Sequence, residues 1–325
     1  MQLKKDFKIL FMGTPEFAAE SLQNLVKHNF NIVGVVTSAD KPAGRGQKIN
    51  ESAVKITARN LNLYILQPTN LKAPEFIESI KKLNADLFVV VAFRMLPEIV
   101  WAMPPQGTIN LHASILPNYR GAAPINRAIM NGETKTGLTT FFIEKEIDTG
   151  KIIDVTELEI GAEENAGELH DRMMKMGAEL LVKTCESIFK KDFKGISQIE
   201  MIGKSGELIS APKIFKNDCK VDWSKSTSEI YNFIRGLSPY PTAYTEFMNE
   251  DLEKTSFLKI FKCSQSIEKH TTLPGKIVSD AKKTLKIACM DGFIEILDLQ
   301  LEGKKRMKTA EFLNGISISK FKIVI

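Results

Sequence analysis

At 325 residues the chain has room for two domains with sizeable cores. A hydrophobic fraction of 43% beside 26% charged residues is that of an ordinary folded protein and excludes a disordered or fibrous chain. The net charge of +5 permits a polyanionic partner without requiring one; residues 1–205 carry 25 basic and 24 acidic side chains, residues 206–325 carry 19 and 15.

The opening "MQLKKDFKILFMGTP" has too brief an apolar run for a signal-peptide core or a membrane span, so a cytoplasmic location with no membrane association is expected. Cys185, Cys219, Cys263 and Cys289 form no C-x-x-C pair and the four histidines are scattered. Reduced thiols and no bound metal are expected.

"FKILFMG" reads as a strand ending at Gly13, and "TPEFAAESLQNLVKHN" as the helix after it. Thr14 is the expected cap and Pro15 the expected first position. Phe17, Leu22, Leu25 and Val26 give that helix an apolar face, and "NIVGVVT" is the next strand. The turn holds one glycine rather than the three of the dinucleotide fingerprint, which disfavours NAD. "SADKPAGRGQKIN", residues 38–50, is a Gly/Pro-rich loop carrying Lys41, Arg45 and Lys48. "YILQP", the helix "APEFIESIKKLN", the buried parallel strand "LFVVVAF" and the short helix "LPEIVWAMP" follow. Serial strand–helix units predict an open parallel sheet covered on both faces.

Thr108 to His112 is a strand in which Asn110 and His112, two residues apart, project to the same side. "SILPNYRGAAP" is turn-rich and ends on Pro124, where a helix starts. A second strand, Gly137 to Ile143, runs into "EKEIDTG", placing Asp148 in a loop. An amide, an imidazole and a carboxylate delivered together can donate to an oxyanion, titrate near neutrality and take up a proton. Taken singly, each of the three is equally a packing or turn residue.

"GKIIDVTELEI" reads as an edge hairpin or extended strand. "NAGELHDRMMKMGAELLVKTCESIFKK" reads as a long amphipathic helix with Leu169, Met173, Met176, Leu180 and Cys185 near one stripe. Periodicity fails between Asp192 and Pro212, which predicts an extended linker. A helix over "SKSTSEIYNFIRGL" and short runs such as "FLKIFKCS", "TLKIACMDG" and "FIEILDLQ" then predict a small β-barrel, finished by a helix in "KKRMKTAEFLNG".

The ordered run "NLHASILPNYRGAAPINRAI" with "IDTGKII" resembles the signature of the folate-dependent formyltransferases, in particular the branch acting on methionyl-tRNA. "GTPEFA", "DKPAGRG" and the C-terminal "VDWSKS…PYPTAY…LPGKI" extend the resemblance over nearly the whole chain. It implies an α/β architecture: a Rossmann-like domain with an open, mainly parallel sheet over residues 1–205, and an OB-like β-barrel domain over 206–325. It also implies that 10-formyltetrahydrofolate donates a formyl group to the free amine of initiator methionyl-tRNA for translation initiation. The matched catalytic residues are Asn110, His112 and Asp148.

Ser114, Ile115, Leu116 and Pro117 match the family's folate-contacting segment, and Phe93, Arg94, Met95 and Leu96 match the strand end that lines the pterin pocket. There "VAFRMLP" departs from the commoner form, which has Gly after the aromatic residue and one more position before Leu-Pro. Lys41, Arg45 and Lys48 fall in the family's basic loop, which inserts toward the tRNA acceptor arm; a solvated surface loop has the same composition. A monomer is expected.

Two other readings compete. One is formylation of a small amine, or hydrolysis of formyl-folate, by the same site. The other is a tRNA-binding module whose Rossmann half is inactive. The complete Asn110, His112 and Asp148 set counts against the second, and the basic barrel pattern favours tRNA over a small amine.

Overall fold

The computed structural model describes residues 4–43, 48–202, 207–249 and 253–324. The chain forms two compact units, each assembled from three segments. One comprises Met1–Gly121, Gly137–Leu158 and Asp171–Ser210, the other Ala122–Thr136, Glu159–His170 and Ala211–Ile325.

The elements run, in order, β1 (Lys8–Gly13), α1 (Glu16–Lys27), β2 (Asn31–Val36), β3 (Lys41–Ala43), β4 (Lys48–Asn50), α2 (Ala53–Asn60), β5 (Ile65–Leu66) and α3 (Pro74–Lys82). They continue with β6 (Leu87–Val91), α4 (Glu98–Trp101), β7 (Thr108–His112), β8 (Arg120–Gly121), α5 (Pro124–Met130), β9 (Lys135–Phe142), β10 (Ile152–Glu159) and α6 (Ala166–Lys190).

The first unit is built on a seven-stranded sheet ordered β10-β9-β7-β6-β1-β2-β5. β1 pairs in parallel with β2 and β6, β6 pairs in parallel with β7, and β7 meets β9 antiparallel. This is the Rossmann-like architecture anticipated from the serial strand–helix pattern. All five residues of β6 are buried, the expected state of a central strand covered on both faces. Gly13 is opposite Val91 and Val91 opposite Leu111, so the carboxyl ends of β1, β6 and β7 reach one edge of the sheet. That edge is where ligands bind in open α/β sheets. Behind it, α6 comes close at Gly177, where a Cβ would stand 3.0 Å from Leu111 and 3.3 Å from Leu138.

Three sequence expectations change. Thr14 does not cap α1: Pro15 occupies the cap position without a side-chain hydrogen bond, and the Thr14 carbonyl accepts from the Val54 N–H instead. The segment 38–50 is not a plain loop, because Lys41–Ala43 and Lys48–Asn50 pair as an antiparallel hairpin. The stretch after α6 is not simply extended, since Ile196 bridges to Ile152 and a short helix, α7, spans Gln198–Ile202.

The second unit holds β11 (Ser210–Ala211) in part, α8 (Thr227–Leu237), β12 (Ala243–Asn249), β13 (Lys254–Ile267), β14 (Ile277–Ser279), β15 (Leu285–Ala288), β16 (Gly292–Leu301), β17 (Met307–Lys308), α9 (Thr309–Asn314) and β18 (Phe321–Val324). Strands β14-β15-β16-β13-β12-β18 form a nearly closed antiparallel barrel of the OB-like kind, with β17 on β16. Ser226 and Glu229 close a capping box on α8, and Ile230, Ile234 and Leu237 bury its stripe against Trp223, Phe247, Leu258 and Ile260. Met130 of α5 packs on the same core, and the Asn126 side chain donates to the Gly236 carbonyl at 2.7 Å.

Candidate active site

β7 ends at the carboxyl edge of the sheet with Asn110 and His112 on one side of the strand. Asn110 is half-buried, and its side-chain amide has no hydrogen-bond partner among the described residues. His112 is buried, with its ring edge-on to Phe141 at 6.4 Å. Nε2 lies 2.8 Å from the Tyr119 carbonyl. A carbonyl only accepts, so this contact places a proton on Nε2 and leaves Nδ1 as the uncommitted nitrogen.

Nδ1 faces Oδ2 of Asp148 across 3.8 Å. Asp148 stands in the loop between β9 and β10 with φ of 55°, in the left-handed region, and its Oδ2 accepts from the Gly121 N–H at 2.9 Å. The other carboxylate oxygen has no hydrogen-bond partner among the described residues. The loop turns back at Gly150, where any Cβ would stand 1.8 Å from the Phe142 carbonyl oxygen. The three sequence-derived residues thus occupy one strand end and the loop facing it.

Two residues here escaped the sequence reading. Gln198, from the stretch expected to be a plain linker, is almost fully buried and donates to the carbonyls of Asp148 at 3.0 Å and Gly150 at 2.8 Å. Its Oε1 accepts from Nε and Nη2 of Arg120 at 3.1 and 2.6 Å. Burial lowers the proton affinity of the Arg120 guanidinium from its ordinary value, and the Asp148 and Glu146 carboxylates pull the other way.

Ser114 donates to the Asn118 carbonyl, while Leu116 is buried with Phe141 and Ile152. Pro117 is buried too, so Ile115 and the backbone are what this segment offers a ligand. Thr139 ties the segment down, donating to the Ser114 carbonyl and accepting from the Leu116 N–H. At the end of β6, Phe93 is half-buried, Leu96 buried and Met95 74% exposed. The backbone N–H groups of residues 93–96 have no hydrogen-bond partner among the described residues. Apolar side chains beside uncommitted amides fit a flat heteroaromatic ring with polar edges. Arg94 reaches sideways, donating to the carbonyls of Thr69 at 2.9 Å and of Pro68.

Lys41 and Lys48 lie in the β3–β4 hairpin, and Arg45 falls outside the described residues. Among the described residues no group of three or more His, Cys, Asp or Glu side chains is placed to hold a metal ion, and no helix is long and apolar enough to cross a membrane.

Comparison with known proteins gives consistent matches. The model of the formyl transferase family matches residues 7–185, and that of the formyl transferase C-terminal domain matches residues 213–317. The methionyl-tRNA formyltransferase of Flavobacterium johnsoniae is 54% identical over 312 residues, covering 96% of this chain and 97% of that protein. Its namesake in Bacteroides fragilis is 50% identical over 316 residues, 97% of each. Among solved structures, the N-formyltransferase of Helicobacter canadensis aligns over 93% of this chain and 100% of its own, with a TM-score of 0.63 and 21% identity. HypX of Aquifex aeolicus with tetrahydrofolic acid aligns over 94% of this chain and 46% of its own, at 0.61 and 18%. At such identities the structural likeness establishes the fold alone.

Proposed function

Because this chain belongs to the formyl transferase family, we propose that it transfers the formyl group of 10-formyltetrahydrofolate to the free amine of initiator methionyl-tRNA. The observation that carries this reading is near-full-length identity of about half with relatives bearing the methionyl-tRNA formyltransferase name, across both units. In it, residues 1–205 perform the chemistry and residues 206–325 help grip the tRNA, in a cytoplasmic monomer.

The folate supplies the electrophilic formyl carbon. Residues 93–96, through their uncommitted amides, and Ile115 would hold its ring system. Asn110 donates to the formyl oxygen as negative charge grows there, and loss of one such donor typically costs about 2.7–4 kcal/mol of transition-state stabilisation. His112 acts through Nδ1, since Nε2 is committed to Tyr119. Asp148 balances the charge of His112 and takes up the proton of the attacking amine on its uncommitted oxygen. Lys41, Arg45 and Lys48 pair with phosphates of the acceptor arm.

The deciding experiment incubates the protein with charged initiator tRNA and 10-formyltetrahydrofolate and scores formylmethionine. Formylmethionine at catalytic turnover is expected. No product with tRNA, together with formylation of a small amine, would overturn the reading.

A further inference from the structure

The chain following α6 is fastened to the site at two places. Near its far end, the Tyr119 N–H donates to the Ile209 carbonyl at 2.6 Å, and the Ile209 N–H donates to the Asn118 side chain at 3.1 Å. Tyr119 is the residue whose carbonyl holds His112. Near its start, Gln198 holds Asp148, Gly150 and Arg120 together. Both anchor points of the His112–Asp148 pair are therefore secured by residues beyond 185, where the family model's match to the first unit ends.

We propose that Gln198 is a positioning residue for formyl transfer. This rests on the function proposed above. Asp148 sits in the left-handed backbone region, which L-residues adopt infrequently. The two N–H bonds of Gln198 fix the carbonyls of residues 148 and 150, and so the peptide planes that decide where the Asp148 carboxylate goes.

The same amide is linked round to that carboxylate. Its oxygen takes both bonds from Arg120, and the next residue, Gly121, donates to Asp148 Oδ2. The ring of bonds closes on itself. The amide's orientation is dictated as well, because a flip would aim N–H groups at the guanidinium and an oxygen at two carbonyls. Glutamate at this position would do the latter permanently, methionine would make none of the bonds, and asparagine falls one carbon short. A displacement of about 1 Å at a reacting group is enough to cost about a hundredfold in rate.

The test makes Gln198→Met, Gln198→Glu and Gln198→Asn in the full chain and measures kcat, both KM values and thermal unfolding. The expected result for Met and Glu is a kcat lower by about ten- to a hundredfold, with both KM values within about threefold of wild type. A kcat within twofold of wild type overturns the proposal, as does a fall in kcat matched by a rise in KM. Should Gln198→Met not fold, Gln198→Asn decides, and wild-type kcat in the folded Asn variant overturns it.

Ile199, 80% exposed on the same helix, supplies the control: Ile199→Ser should keep wild-type kcat. An equal loss there would mean that any disturbance of the helix suffices, and would overturn the specific role of Gln198. A crystal structure of Gln198→Met gives a readout independent of substrate. Asp148 should leave its left-handed conformation, and an unchanged φ with Oδ2 still facing Nδ1 overturns positioning. Wild-type protein that does not formylate methionyl-tRNA would instead defeat the function itself.

Discussion

Nδ1 of His112 and Oδ2 of Asp148 stand 3.8 Å apart, too long for a hydrogen bond. Because Nε2 already donates to Tyr119, the pair differs from one in which a carboxylate simply orients an imidazole by bonding its N–H. Here the open nitrogen and the carboxylate face the same space, so each is free to meet the substrate.

Separate roles for these groups give separable variants. Asn110→Ala should lower kcat by about 10²- to 10³-fold through loss of an oxyanion donor, with little change in either KM. Asp148→Asn retains an acceptor for the Gly121 N–H and removes only the charge, so it should fold normally and lose at least tenfold in kcat. Single-turnover formylation measured beside thermal unfolding checks both. Wild-type rates for a folded Asp148→Asn would remove Asp148 from the chemistry.

Gly150→Ala tests the loop by geometry alone. Its new Cβ would lie 1.8 Å from a backbone carbonyl oxygen, which no side-chain movement can relieve. The loop must shift, taking Asp148 with it. A destabilisation of about 1–3 kcal/mol is expected, together with a larger fractional loss of kcat than Gly177→Ala, which meets only side-chain atoms. Urea titration and steady-state kinetics on the two variants settle the comparison.

Lys41, Arg45 and Lys48 are expected to contact RNA phosphates. Each lost phosphate contact should flatten the slope of log affinity against log salt by somewhat under one unit. Arg45→Ala is expected to weaken formylation most, since guanidinium pairs bidentately with phosphate and ammonium does not. The check is tRNA binding across a salt series for wild type and for Lys41→Ala, Arg45→Ala and Lys48→Ala. Superimposable lines would return these residues to plain surface positions.

Stability of the second unit should depend on acid through Asp298. Its buried carboxylate accepts two bonds from Arg306 at 2.9 Å and one from Lys308 at 3.1 Å, which hold its pKa below the ordinary aspartate value. A pKa lower in the folded than in the unfolded chain stabilises the fold above the unfolded value, near 3.8, and that contribution fades as pH falls through the folded one. Asp298→Asn should cost about 1–3 kcal/mol at neutral pH, toward the low end because Arg306 is half exposed to screening solvent. Denaturation curves over a pH series should show the gap between variant and wild type narrowing as pH falls below the unfolded aspartate value and through the lower, folded one.

Periodicity and turn chemistry made much of the fold legible. The buried run in β6, the apolar stripe of α6 and Pro124 at the start of α5 all appear where the pattern puts them. Local signals misled at Thr14, because an extended Pro15 took the cap position. They gave no sign of β18, whose four residues gain their strand identity from pairing with β12. Asn110 and His112 could be read from two-residue alternation within one strand. Gln198 could not, since its partners lie about 50 and 78 positions away and nothing near it in sequence marks a bond to either.

Segments 122–136 and 159–170 cluster with the C-terminal residues, which sets an order of events during synthesis. α5 emerges from the ribosome about a hundred residues before α8, whose Gly236 carbonyl accepts from Asn126. At roughly 5–20 residues per second that interval lasts about 5–20 s. For that time Met130 lacks the apolar core it finally joins. The seven-stranded sheet has all its strands once β10 is made, whereas the second unit waits for the end of the chain. Until the second unit is complete, the apolar surface that Met130 finally buries stays exposed on the nascent chain, the kind of surface for which chaperones exist.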